Sequence, residues 1–409
     1  MTLEEAAEQR ALELADILRE HGDAYRAKHP VSLEQEAVMK NLSRCRTAAL
    51  GGHMDVCQSC GYVAISYNSC RDRHCPKCQG QKRAEWLEAR LERLLPVEYF
   101  HVVFTIPEEL HPLALRNKKI VYDLLFQAAS QTLLQIAADP QHLGAQIGFT
   151  AILHTWGQNL LLHPHLHCVV TGGGLSASGD RWISTREDFF LPIKVLARLF
   201  RGKFLHGLEE AYRAGTLSLQ GSVESLSDPV EFDRLKDGLY RKEWVVYAKP
   251  PFGGVERVFR YLGRYTHRVA ISNSRLVALQ DGVVSFRYRD YADASKTKVM
   301  RLSADEFIRR FLLHVLPKRF VRIRHYGLMA GRNVDSKLEC CRKLLSTESS
   351  SATEAPPESV AEESRSEEIA GECKDDELQH CPLCGARRLV RQVIERETRR
   401  RFSPVLNSS

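Results

Sequence analysis

Residues 161–174 read LLHPHLHCVVTGGG, and no other stretch restricts the chain's architecture as much. In an extended chain the side chains alternate between faces. His163, His165 and His167 would then project from one side, with Leu166 and Cys168 on the other. The strand is expected to stop at Gly172-Gly173-Gly174. A single strand histidine is usually a packed or surface residue. Several imidazoles buried in an apolar run are costly without partners, and a metal ion is a partner they can share. A metal-binding face on a β-strand is therefore the first expectation.

The neighbouring segments supply a sheet for that strand. YFHVVFTIP, GFTAILHTW and WVVYAKP alternate like strands, and RVAISNSRLVAL and GVVSFRYRDY form a pair separated by Gln280-Asp281-Gly282. Helical spacing marks 120–137, GGVERVFRYLGRY, ADEFIRRFLLHVLP and the charged QKRAEWLEARLERLL. Two helices are expected before residue 50: Leu12, Ala15 and Leu18 lie at helical spacing, and Ser32 is placed to cap the second. This mixture points to an α/β or α+β core. The most apolar helix, IVYDLLFQAASQTLLQIA, contains Asp123 and three glutamines, so it reads as amphipathic rather than membrane-spanning. The first residues, MTLEEAAEQR, have neither a basic nor an apolar leader region.

Twelve cysteines in such a chain suggest metal or redox chemistry more than a disulfide framework. In CQSCGYVAISYNSCRDRHCPKC, Cys57/Cys60 and Cys75/Cys78 form two C-x-x-C pairs with fourteen residues between them. Two such pairs suit one tetrahedral structural zinc. Cys45, His53, Cys70 and His74 are left over, for a second site, a substitute ligand or simple packing. CPLCG adds Cys381 and Cys384 as half a site, with Cys341, Cys373 or His380 as candidate partners.

The formal charge of +7 is unevenly spread. Residues 346–377 hold eleven acids against two bases, a net of −9, which leaves +16 on the remainder. A body that basic suggests a polyanionic partner, nucleic acid above all. The acidic stretch is low in large apolar residues and is expected to be a disordered linker over 336–380. Arg71 and Arg73 in the cysteine-rich segment would suit phosphate contacts, as would Lys77, Lys82 and Arg83.

RYLGRYTHR is the remaining feature. Tyr261 and Tyr265 stand at i and i+4 of an expected helix, so both hydroxyls leave one face. Two core aromatics would show the same spacing. The surrounding Arg260, Arg264, His267 and Arg268 favour a phosphodiester over an apolar interior.

His165-Leu166-His167 resembles the His–hydrophobic–His (HUH) motif, and Tyr261/Tyr265 resemble the paired tyrosines of rolling-circle nucleases. With YNSCRDRHCPKCQ, HTWGQNLLLHPHLHCVV, YLGRYTHRVAISN and FIRRFLLHVLPKRFVRIRHYG, the chain resembles rolling-circle transposases of the insertion-sequence ninety-one family from about Ala15 to Arg332. The resemblance implies an α+β HUH-endonuclease core, an antiparallel sheet with helices on one face, after a small helical, zinc-binding domain. Expected boundaries are 1–96 for that domain, 97–335 for the catalytic domain, 336–380 for the linker and 381–409 for the tail. It implies a bacterial, cytoplasmic enzyme in which Tyr261 and Tyr265 are nucleophiles toward single-stranded DNA. His165 and His167 would hold Mg²⁺ or Mn²⁺, although imidazole by itself suits zinc, iron or nickel better. His154 is the first candidate for a third ligand, ahead of His163 or a polar residue near Tyr265. The alternatives are a plasmid replication initiator or relaxase using the same chemistry, and a non-catalytic zinc-dependent DNA-binding protein.

Overall fold

The computed structural model describes residues 11–79, 93–186, 191–252, 270–291, 293–331, 334–349, 380–387 and 389–396. Helices α1 (Leu14–Lys28) and α2 (Leu33–Ser43) lead into strands β1 (Gly52–Cys57) and β2 (Val63–Tyr67). β3 (Tyr99–Thr105), α3 (His111–Arg116), α4 (Lys118–Ala138), β4 (Ala145–Trp156), β5 (Leu162–Ser176) and β6 (Trp182–Ser184) follow. Next come α5 (Ile193–Arg213), α6 (Pro229–Arg241) and β7 (Val246–Phe252). The order closes with β8 (Leu276–Gln280), β9 (Val283–Asp290), β10 (Lys296–Ser303), α7 (Ala304–Leu313), β11 (Ile323–Gly327), α8 (Val334–Ser349) and β12 (Leu389–Ile394). The expected helices over 81–95 and 253–265 fall mostly or wholly outside the described residues.

The central sheet is antiparallel, in the order β11-β4-β5-β3-β7, with β6 on the far end of β5. Alternation sorts its residues as the histidine run requires. Phe100, Val102 and Phe104 of β3, Phe149, Ala151 and Leu153 of β4, and Leu166, Cys168 and Val170 of β5 enter one apolar core. That core is roofed by α4 through Val121, Tyr122 and Leu125, and by α5 through Leu196, Phe200 and Phe204. The fold is α+β. The opposite face receives the other half of the alternation, including His101, His154, His165 and His167.

A second core joins the beginning and the later part of the chain. Leu14, Ile17 and Leu18 of α1 pack in one cluster with Val284 and Phe286 of β9 and with Phe307 and Phe311 of α7. Polar ties reinforce it: Asn273 Oδ1 accepts from the Leu14 N–H, and Gln35 Nε2 donates to the Leu312 carbonyl. Ser32 caps α2 by accepting from the Gln35 N–H in a reciprocal box, as its position suggested. The β8–β9 hairpin turns at Asp281 and Gly282, both at positive φ (51° and 71°), the pairing that a two-residue primed turn requires.

Four expectations need correction. β5 does not stop at the glycines but runs through them to Ser176. The glycines are there for close approach: a Cβ at Gly172 would lie 2.9 Å from the Glu98 carbonyl oxygen, and one at Gly174 would lie 2.5 Å from that of Gln146. Gly174→Ala should therefore cost about 1–3 kcal/mol through overpacking, read as a lower thermal midpoint; an unchanged midpoint would contradict this path for the strand. KTKVMRLS, read as no element, is β10, paired in full register with β9. The linker expected from 336 begins as a helix, α8, because Val334, Leu338, Cys341 and Leu345 form a stripe at helical spacing that packs on Leu95, Trp182 and Leu328. The tail, read as holding no strand, contains β12, which pairs antiparallel with β1, so the three-stranded sheet is ordered β12-β1-β2.

Candidate active site and metal clusters

On the face of the central sheet opposite α4 and α5, the β4–β5 register sets His154 directly opposite His165, with His167 opposite Ile152. One ring nitrogen from each of His154, His165 and His167 lies within 4.8 Å of the others. The structure thus gathers His165 and His167 with His154, the first candidate for their third partner. His163, the second candidate, is exposed, and its contribution is a backbone carbonyl 2.6 Å from His165 Nδ1. A cavity of about 910 Å³ is lined by Thr105, His163, Trp244, Tyr288, Tyr291 and Arg309, among others.

The hydrogen bonds around the trio decide what its nitrogens can do. His165 Nδ1–H is committed to the His163 carbonyl, which leaves Nε2 with a lone pair. His167 Nδ1 lies 2.8 Å from His101 Nε2; assigning the proton to His167 leaves its Nε2 a lone pair as well. The two Nε2 atoms stand 3.0 Å apart. Two lone pairs at that distance repel unless a cation lies between them. Adjacent positions of an octahedral shell with bonds of about 2.1 Å are about 3 Å apart, so the donor set fits a divalent ion. Burial holds the imidazoles in the neutral, ligating form: it pulls His165 down to about 4 and His101 to about 3. Trp156 stacks on His154 at 4.7 Å between ring centroids and limits its rotation.

His101 went unnoticed in the sequence. Its only local sign is a polar residue within the apolar run of YFHVVFTIP, and its meaning appears only once β3 is known to neighbour β5. A side chain that fixes the tautomer and direction of a ligand histidine is the usual outer partner of a metal site.

The cysteines divide differently from the expected single site. Cys75 and Cys78 cluster with Cys45 and Cys70, while Cys57 and Cys60 cluster with Cys381 and Cys384. In the first group, Cys45–Cys78 and Cys70–Cys78 sulfurs are 3.6 Å apart and Cys45–Cys75 sulfurs 3.7 Å. Tetrahedral zinc with Zn–S bonds of about 2.3 Å separates its sulfurs by about 3.8 Å, so four thiolates in this arrangement fit structural zinc. Spacing identified each knuckle but not which knuckles meet. The proposed partners of the tail pair are otherwise engaged: Cys341 is buried on the packed side of α8, His380 accepts from Arg387 Nε, and Cys373 is outside the described residues.

Arg73, expected to contact phosphate, instead points inward. Its guanidinium donates to the carbonyls of Phe320 (2.6 Å) and Pro317 (2.9 Å), and His74 Nε2 accepts from the Leu316 N–H. Both residues fasten the zinc loop to the segment after α7. Arg71 is exposed. Tyr261, Tyr265, Arg260, Arg264, His267 and Arg268 lie outside the described residues.

The segments that carry the cysteine-rich module and the histidine-bearing sheet each match a transposase family model. Residues 17–106 match the family model "Transposase zinc-binding domain", and residues 148–337 match "Putative transposase". The chain belongs to the IS91 (insertion-sequence ninety-one) family of transposases, enzymes that cut and join DNA. It is 54% identical over 375 residues to "Putative transposase y4qJ" of Sinorhizobium fredii (strain NBRC 101917 / NGR234), covering 91% of this chain and 92% of that one. It is 28% identical over 317 residues to "Transposase for insertion sequence element IS801" of Pseudomonas savastanoi pv. phaseolicola, covering 73% and 71% respectively. No solved structure matches the chain. Among the described residues, no helix is long and apolar enough to cross a membrane.

Proposed function

We propose that this transposase nicks and rejoins single-stranded DNA through a covalent 5′-phosphotyrosine, as in rolling-circle movement of an insertion sequence. The observation that carries the reading is the convergence of His154, His165 and His167, with the lone pairs of His165 and His167 facing each other. These three residues would hold Mg²⁺ or Mn²⁺, which supplies charge neutralisation at a non-bridging phosphate oxygen. The phenol oxygen of Tyr261 or Tyr265 attacks phosphorus, the bond from phosphorus to the 3′ oxygen breaks, and that oxygen leaves as a 3′-hydroxyl after taking up a proton. The reverse attack by a 3′-hydroxyl rejoins a strand. Phosphodiester bonds are exchanged one for one, so no nucleotide hydrolysis is needed, and the sequence has no G-x-x-x-x-G-K-[ST] loop. A tyrosine hydroxyl has a pKa of about 10, which is why the phosphate must be activated.

Incubation with a labelled single strand carrying an element end and Mn²⁺ should leave a 5′-linked protein–DNA adduct. Tyr261→Phe/Tyr265→Phe should abolish it. An undiminished adduct in the double variant would sink the mechanism, and DNA binding without scission in the parent protein would favour a non-catalytic role. His101→Ala should weaken Mn²⁺ binding by about 10–100-fold, measured by titration calorimetry, because the ring of His167 loses its outer partner. Unchanged affinity would remove His101 from the site.

A further inference from the structure

The zinc-binding match over 17–106 takes in Cys45, Cys57, Cys60, Cys70, Cys75 and Cys78 but ends far before Cys381 and Cys384. Cys45, Cys70, Cys75 and Cys78 already make a complete four-thiolate set. Cys57 and Cys60 therefore have to find their partners elsewhere. We propose that Cys57, Cys60, Cys381 and Cys384 bind a second zinc ion, and that this ion fastens the late segment 380–396 to the module near the start of the chain.

Three observations carry the assignment. The sulfur geometry repeats that of the first cluster: Cys57–Cys384 and Cys60–Cys381 sulfurs are each 3.6 Å apart, all four lie within 4.8 Å, and all four cysteines are free thiols. That is the spacing of ligands around one tetrahedral ion.

The two contributing loops are also copies of one turn. CQSCG and CPLCG each place glycine directly after the second cysteine, at positive φ (76° for Gly61, 71° for Gly385). The Gly61 N–H donates to the Cys57 carbonyl at 2.9 Å, and the Gly385 N–H donates to the Cys381 carbonyl at 2.8 Å. One residue further on, the Tyr62 carbonyl accepts from the Cys57 N–H at 2.8 Å and the Ala386 carbonyl from the Cys381 N–H at 2.9 Å. Nothing lies within 4 Å of a Cβ built on either glycine, so conformation and not crowding calls for glycine. Two matching knuckles facing each other through sulfur form a metal-binding unit rather than a chance contact of thiols.

The third observation is how much apolar surface the unit leaves exposed among the described residues. In the β12-β1-β2 sheet, Val63 and Ile65 of β2 are about half exposed and Val393 of β12 is 80% exposed. Beside the strand pairing, the Asp55–Arg391 ion pair ties β12 to β1, with contacts of 2.7 and 3.1 Å. A sheet this small and this open lacks the buried area to hold itself and needs a staple.

Native mass spectrometry of the full chain, with zinc quantified independently by elemental analysis, tests the proposal without any variant. Two zinc ions per chain are expected. One ion in the fully metallated protein would overturn it. The Cys381→Ser/Cys384→Ser chain should fall from two ions to one, and the ion it keeps shows that the Cys45 cluster is still folded. If that chain keeps both ions, the assignment is wrong. Because the readout is metal content and not strand cleavage, its outcome is independent of the phosphotyrosine mechanism.

Discussion

His165→Ala/His167→Ala is expected to lose adduct formation by about 10³-fold or more, the rate equivalent of about 4 kcal/mol of charge stabilisation at the phosphate. The two imidazoles leave the sheet on the face opposite the α4–α5 roof, whereas their neighbours Leu166 and Cys168 pack in the core. The variant should therefore stay folded, with unaltered zinc content and a cooperative thermal transition. Gel-shift binding to the same single strand should persist, since phosphate contacts from arginine and lysine do not depend on the site. Adduct formed at the parental rate in Mn²⁺ would refute a metal role for these residues. An unfolded variant would be recognised by its lost thermal transition, and His165→Gln, which keeps a polar side chain of similar reach, would then carry the test.

The second large effect concerns the Cys45 cluster. Cys45, Cys75 and Cys78 belong to the same apolar cluster as Leu14 and Leu18 of α1 and Phe307 of α7. Zinc bound by four thiolates contributes about 10–16 kcal/mol in small domains, as much as the whole stability of an ordinary domain. Cys75→Ser/Cys78→Ser, or stripping with a strong chelator, should therefore melt α1 and α2 off the β8–β10 sheet. Hydrogen exchange would show this as lost protection over 14–43 and gained exchange at Leu276–Ser303. The α4–α5 core, which shares no residue with that cluster, should stay protected. Full protection over 14–43 in the metal-free protein would show that packing alone suffices.

Much of the central sheet could be read from local pattern. Period-two alternation sufficed to put His165 and His167 on one face, because a strand has only two faces and Leu166 and Cys168 claim the other. His154 needed one further step, the guess that GFTAILHTW pairs with the histidine strand. His101 needed knowledge of a third strand's place, which no local pattern carries. The cysteines show the same limit more sharply. C-x-x-C reports a knuckle because two sulfurs on one tight turn can share an ion, but partner choice is decided by tertiary folding. Here the partners of Cys57 and Cys60 are more than 320 residues away. β10 escaped notice because its inward side is made of Met300 and Leu302 among lysines, threonine and arginine. In α8 the acidic composition beyond Ser346 masked a stripe only four residues deep.

The pairing of β1 with β12 also imposes an order on biosynthesis. β1 is the middle strand of its sheet, yet one of its two neighbours is translated more than 300 residues after it. Until residues 389–394 leave the ribosome, the Gly52–Cys57 backbone presents an unpaired edge, the kind of surface that invites mispairing with other chains. A prematurely terminated product would carry that edge permanently. Synthesis through Ile394 thus becomes a condition for the earlier-made strands to be sealed, and a ribosome that aborts before that point releases a defective molecule rather than a shortened but sound one.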